Sequence, residues 1–208
     1  MTEPRFQIIA DDVIGLAVKD AAEAQTLAAH LRQTGDWLEV VPGLDSVAVR
    51  YDPAAITPSS VSDQLAAAQR SMPDQPRESA PILDIPVHYG SKSGPDLQAI
   101  CDTLSLSPSD LIARHTAPLY TAEMIGFTPG FAYLGGLDKA LTIPRRSTPR
   151  THVPAGSIGI SGGYTGLYAM PGPGGWPLIG RTDTALFDAS SKLPFLIHPG
   201  QQIRFVSA

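Results

Sequence analysis

"PRRSTPRTHVPAGSIGISGGYTG", residues 144–166, decides how the second half of this chain is read. Three arginines, Arg145, Arg146 and Arg150, stand among prolines, and no acidic residue occurs between Asp138 and Asp183. Such a segment is a phosphate-cradling loop, a nucleic-acid patch, or a stiff β surface that turns guanidinium groups toward a carboxylate. Gly156, Gly159, Gly162 and Gly163 imitate a dinucleotide fingerprint. That fingerprint must open a helix and be followed by an acid about 20 residues on. "YTGLYAMPGPGG" follows instead, and its prolines and glycines cannot sustain a helix. No Gly-Lys-Ser/Thr phosphate loop is present. Glycines placed this way within β sequence mark bulges and tight corners. Arginine forks match carboxylate and phosphate geometry. By composition these arginines serve equally well as ligand-facing cations or as partners of Asp138, Asp183 and Asp188.

Working outward, 13 of the 19 glycines lie between Gly126 and Gly180. From "LYTAEMIGF" (119–127) to the end, short apolar runs alternate with Gly and Pro and show no sustained helical period. That pattern predicts a closed or strongly curved β structure, a barrel rather than a sandwich. Upstream, "ILDIPVHYG" alternates as a half-buried strand. Two short helices follow it. One starts after Gly94-Pro95 and buries Leu97, Ile100 and Leu104, with Cys101 on its apolar face. The other opens with Ser107 as cap, Pro108 at the first position and Asp110 completing a capping box. Residues 1–70 read strand, strand, helix, strand, strand, helix, with Asp20 and Thr57 capping the helices: a small two-layer α/β unit. Proline-rich "SMPDQPRESAP" (71–81) reads as a linker. The predicted domains are 1–75 and 82–208.

Composition narrows the function. Residues 1–80 carry 6 Lys+Arg against 12 Asp+Glu, and residues 81–208 carry 9 against 8. An acidic first part excludes general nucleic-acid binding. The single cysteine excludes a disulfide framework. The N-terminus does not read as a signal peptide, and no run is long enough to span a membrane, so a soluble cytoplasmic chain is expected. The five histidines show no metal-ligand spacing, and no metal is predicted. Ser157 and Ser161 do not form a nucleophile elbow. No self-contained catalytic set emerges, which points to a partner chain or a binding role.

The strings "IGFTPGFAYLGGLD", "PRRSTPR", "VPAGSIGISGGYTGLY" and "PGGWPLIGRT", in this order, resemble the family of 5-oxoprolinase B subunits, KipI-type kinase inhibitors and allophanate hydrolase subunit 1. "YGSKSGPDL", "LSPSDLIARHT" and "HPGQQIRF" extend the likeness over most of residues 81–208. The resemblance implies an α+β fold: a small α/β N-terminal domain followed by a cyclophilin-like β-barrel. It implies a non-autonomous B subunit of an ATP-dependent enzyme that opens 5-oxoproline to glutamate, working with a subunit-C-like partner and an A-type component. ATP would be used by the complex and not bound by this chain alone. His115, Arg145, Arg146, Arg150, Gly162, Gly163, Tyr164 and Thr165 are the expected cleft residues, with no catalytic role assigned. Tyr164 stands where the family often has Gln, which alters the expected pocket. The alternatives are a KipI-type inhibitor docking on a sensor histidine kinase through Phe127, Pro129, Phe131 and Tyr133, or a chain of an allophanate or urea amidolyase-related enzyme. For those aromatics, barrel core is the competing reading.

Overall fold

The computed structural model describes residues 4–72 and 81–208. The chain divides into two compact units, Met1–Glu78 and Ser79–Ala208. Most of the stretch read as a linker lies outside the described residues.

In the first unit β1 (Phe6–Ala10), β2 (Val13–Ala17), β3 (Glu39–Pro42) and β4 (Ser46–Arg50) form an antiparallel sheet in the order β1-β2-β4-β3. Helices α1 (Ala21–Thr34) and α2 (Pro58–Ser71) pack on it. Alternation puts Ile14, Leu16, Val47 and Val49 into a core shared with Leu27, Leu31, Val61 and Leu65. Both helix starts are fixed by local chemistry. The Asp20 carboxylate accepts from the Glu23 N–H, and the Thr57 hydroxyl accepts from the Ser60 N–H.

The second unit begins with β5 (Leu83–Tyr89), α3 (Leu97–Leu104) and α4 (Pro108–Thr116). It continues with β6 (Tyr120–Ile125), β7 (Ala132–Gly135), β8 (Arg150–Val153), β9 (Ser157–Ser161) and β10 (Tyr164–Leu167). It ends with β11 (Gly172–Gly174), β12 (Leu178–Arg181) and β13 (Gln202–Ser207). Seven strands close a barrel in the order β10-β7-β6-β13-β5-β12-β9. The other neighbours are antiparallel, but β13 lies parallel to β5, so the end of the unit is paired with its beginning. Pairing of this range cannot be read from local sequence. Strands β8 and β11 form a separate ribbon.

The expected barrel is present, and "GSIGISGG" falls on β9 and its hairpin with β10, not on a strand-to-helix turn. Gly162 and Gly163 have φ of 58° and 87°, the pair of positive values that a two-residue turn of matching twist requires. The arginine strip is less regular than expected. Only Arg150 lies in a strand; Arg145 and Arg146 sit in irregular chain, tied to the ribbon side by an Arg146 N–H to Gly175 O hydrogen bond of 2.8 Å.

Candidate functional site

An open groove of about 290 Å³ runs along the barrel surface beside this strip. Its walls are aromatic: Phe127, Phe131, Tyr133, Tyr168 and Trp176, with Arg145 and Arg146 at its side. Phe131 is the hub. Its ring meets Tyr133 at 4.8 Å, Tyr168 at 4.9 Å, Phe127 at 5.6 Å and Trp176 at 5.9 Å, each edge to face. Such contacts fix ring orientation as well as burying area. Gly166 on β10 makes the stack possible: a Cβ there would lie 2.8 Å from both Phe131 and Trp176.

Three guanidinium groups were expected to project together, and the structure separates them. Arg146 Nη1 and Arg150 Nη2 both donate to one oxygen of Asp96, at 3.0 and 2.8 Å. The other Asp96 oxygen accepts the Leu178 N–H at 2.7 Å. Burial pushes this carboxyl up, but the hydrogen bonds from Arg150 and Leu178, with the charges of Arg150 and Arg146, outweigh it and hold the group below the usual carboxylate range. Asp96 therefore clamps the strip to β12, its one charge shared between two arginines. Sequence reading did not single it out, because its partners lie some 50 positions or more away; at the start of α3 its side chain makes no cap bond and turns to the arginines instead. The acids expected as partners do other work: Asp138 pairs with Arg114, Asp183 with His88, and Asp188 with Ser190. Arg145 is different. Its guanidinium carbon lies 6.0 Å over the Trp176 ring, and it makes no hydrogen bond or ion pair among the described residues. It is the cation that the groove can offer to an anionic ligand.

His115 does not face a cleft, and this corrects the expectation. It is fully buried at the end of α4, with Nδ1 2.7 Å from the Tyr89 hydroxyl and Nε2 3.2 Å from Thr165 Oγ1. Its ring stacks on Phe205 at 4.7 Å. Burial drives its pKa down from the ordinary 6.5 to about 3, so it is a neutral structural group at physiological pH. Thr165 is equally buried against it. These two residues belong to the barrel core, because the polar edge of the imidazole finds both its partners inside. Gly162, Gly163 and Tyr164 form and flank the hairpin turn and are not among the residues lining the groove. Pro129 is exposed on the loop between β6 and β7 and does not line it either. The aromatics assigned to a separate docking face, Phe127, Phe131 and Tyr133, instead share one groove with Arg145.

Among the groove-lining residues there is no carboxylate, histidine, cysteine, serine or lysine. Burial pushes the Tyr168 phenol further up, away from any role as a base at neutral pH. Among the described residues no three His, Cys, Asp or Glu side chains gather to hold a metal, and no helix is long and apolar enough to cross a membrane. The groove can bind and orient a ligand through its aromatic walls and Arg145.

Comparison with known proteins gives the site its context. Residues 4–197 match the carboxyltransferase domain, subdomain C and D. The chain is 38% identical over 180 residues to the 5-oxoprolinase B subunit of Bacillus subtilis, covering 82% of this chain and 75% of that one. It is 39% identical over 192 residues to the 5-oxoprolinase B subunit of Haemophilus influenzae, covering 91% and 88%. The crystal structure of TTHA0988 superposes with a TM-score of 0.81 at 33% identity over 94% of this chain, which spans 40% of that longer one. The chain thus belongs to the carboxyltransferase subdomain C and D family, and over most of its length it is similar to 5-oxoprolinase B subunits.

Proposed function

We propose that this chain is the non-autonomous B subunit of an ATP-dependent 5-oxoprolinase, holding a small carboxylate-bearing lactam while partner chains supply the chemistry. One observation carries the reading: a built aromatic groove offers Arg145 to an anion, yet its lining holds no carboxylate, histidine, cysteine, serine or lysine. The names of the 5-oxoprolinase relatives support it over the kinase-inhibitor alternative.

A lactam is resonance-stabilised and resists water. In the proposed reaction the γ-phosphoryl group of ATP passes to the amide oxygen, releasing ADP; one water adds to the activated carbon and the ring nitrogen leaves as the amine, giving γ-glutamyl phosphate, which a second water cleaves to the carboxylate and free phosphate. The products are glutamate, ADP and phosphate. Arg145 pairs with the substrate carboxylate, the aromatic walls pack against the apolar part of the ring, and orientation is this chain's contribution. ATP binds outside this chain, and a subunit-C-like partner and an A-type component complete the site. The test is co-expression with such partners, pull-down, and an ATP-dependent glutamate-release assay. The complete complex is expected to release glutamate and this chain alone none. Glutamate release by the isolated chain, or none from the complex, would overturn the proposal.

A further inference from the structure

The loop joining β6 to β7 holds a residue in a costly conformation. Phe127 has φ of 73°, in the left-handed region that disfavours bulky side chains. The Thr128 N–H donates to Gly126 O at 3.0 Å, closing a three-residue turn around it. A turn of that hydrogen-bond pattern with positive central φ is rare and strained. The loop is over-determined: the Gly126 N–H donates to Phe131 O and the Phe131 N–H to Thr128 O, each at 3.0 Å. Gly130, with φ of 74°, supplies the second left-handed position. Glycine at 127 would adopt this backbone freely. Nor does the ring repay the strain by burial, since Phe127 remains 62% exposed. What the strained turn achieves is placement: the ring stands edge-on to Phe131 at the mouth of the groove, with Arg145 among the other lining residues. Strain held by surrounding bonds at a ligand-facing position is characteristic of pre-organised sites.

Resting on the proposed function, we propose that Phe127 is a specificity-determining residue whose ring covers the apolar edge of a small carboxylate-bearing cyclic amide lying in the groove, its carboxylate at Arg145. A groove of about 290 Å³ stands at the low end of small-molecule sites and fits a single small ring. The cation sets the required charge, and the aromatic walls set the preference for a flat, apolar body.

The experiment uses the reconstituted complex with 5-oxoproline. Phe127→Gly is expected to leave the melting temperature unchanged or higher, because the fold does not need the ring. It is expected to raise KM about tenfold, the loss of one partly buried aromatic contact, with little change in kcat. Phe127→Tyr, which keeps the ring, is expected to hold KM within about twofold. A second variant, Arg145→Ala, separates the groove from the loop. If Arg145→Ala raises KM and Phe127→Gly does not, the groove reading stands and the role given to Phe127 is wrong. If neither raises KM, both fall. A marked drop in melting temperature for Phe127→Gly, or impaired assembly with partner chains at unchanged KM, would equally overturn the inference by making the ring a structural or docking element.

Discussion

Asp96→Asn tests the clamp that shapes the groove's arginine side. The native carboxylate accepts from two guanidinium groups through one oxygen and from the Leu178 N–H through the other. An amide has one acceptor end and one donor end. Either the donor end faces Leu178 N–H or it faces the two arginines, so no rotamer satisfies all three. The Asp96 side chain is 12% exposed, while Arg150 is 23% and Arg146 37% exposed. Breaking a fully buried pair costs about 3–5 kcal/mol, and exposure of Arg146 brings the expectation to the low end, about 3 kcal/mol. For a barrel unit of this size that corresponds to a fall of about 10 °C in melting temperature. The assay has a convenient reporter, because the chain's two tryptophans, Trp37 and Trp176, fall one in each unit. In a Trp37→Phe background, urea unfolding followed by fluorescence reads the barrel through Trp176 without contribution from the first unit. If Asp96→Asn lies within about 0.5 kcal/mol of its parent, the three-way clamp is not what fixes the strip, and the reasoning fails.

Three further outcomes are expected. His115 is neutral when folded and takes up a proton below about pH 6.5 when unfolded, so barrel stability falls as pH drops from 6.5 toward 3, at up to about 1.4 kcal/mol per pH unit. The same urea titration at pH 7, 6 and 5 should show that slope flattened in His115→Phe; an identical slope in both proteins would refute the assignment. Asp96, whose carboxyl is held below its usual range, withdraws its contribution only below about pH 4, which separates the two acid effects. Gly166→Ala places a Cβ 2.8 Å from Phe131 and Trp176 and should cost about 1–3 kcal/mol while shifting the Trp176 emission maximum; an unshifted spectrum with parental stability would show that the rings have room. At the β9–β10 turn, Gly162→Val should cost more than Gly162→Asn by about 1 kcal/mol, read from urea midpoints, because only the latter tolerates φ of 58°.

Local chemistry was legible in the sequence, and long-range geometry was not. Helix starts at Asp20, Thr57 and Ser107 follow from capping residues whose partners lie three positions on, and the structure contains each bond. Gly and Pro punctuation announced a curved β unit with bulges or tight corners at its glycines, whereas Gly162 and Gly163 were expected in a cleft and form a hairpin turn instead. Closure of the barrel by β13 against β5 joins residues about 120 apart, and no local period encodes that. The same limit governs the site. Arg145, Arg146 and Arg150 stood out as a cluster, but what separates their roles is Asp96, some 50 positions earlier. His115 was noticed for its type and its place before a strand; its burial depends on Tyr89 and Thr165, each on a different strand of the barrel. Strain at Phe127 was hidden for a simpler reason: "LYTAEMIGF" reads as a strand that runs through Phe127, and no local signal says that its last residue occupies the left-handed position.

The most direct test of the groove as an anion-binding site is steady-state kinetics of the assembled complex carrying Arg145→Ala. A charge-assisted contact to the substrate carboxylate is worth about 1.5–3 kcal/mol, so KM for 5-oxoproline should rise about tenfold to a hundredfold with kcat little altered, and Arg145→Lys should recover part of the loss. A KM equal to that of the unsubstituted complex would contradict the account.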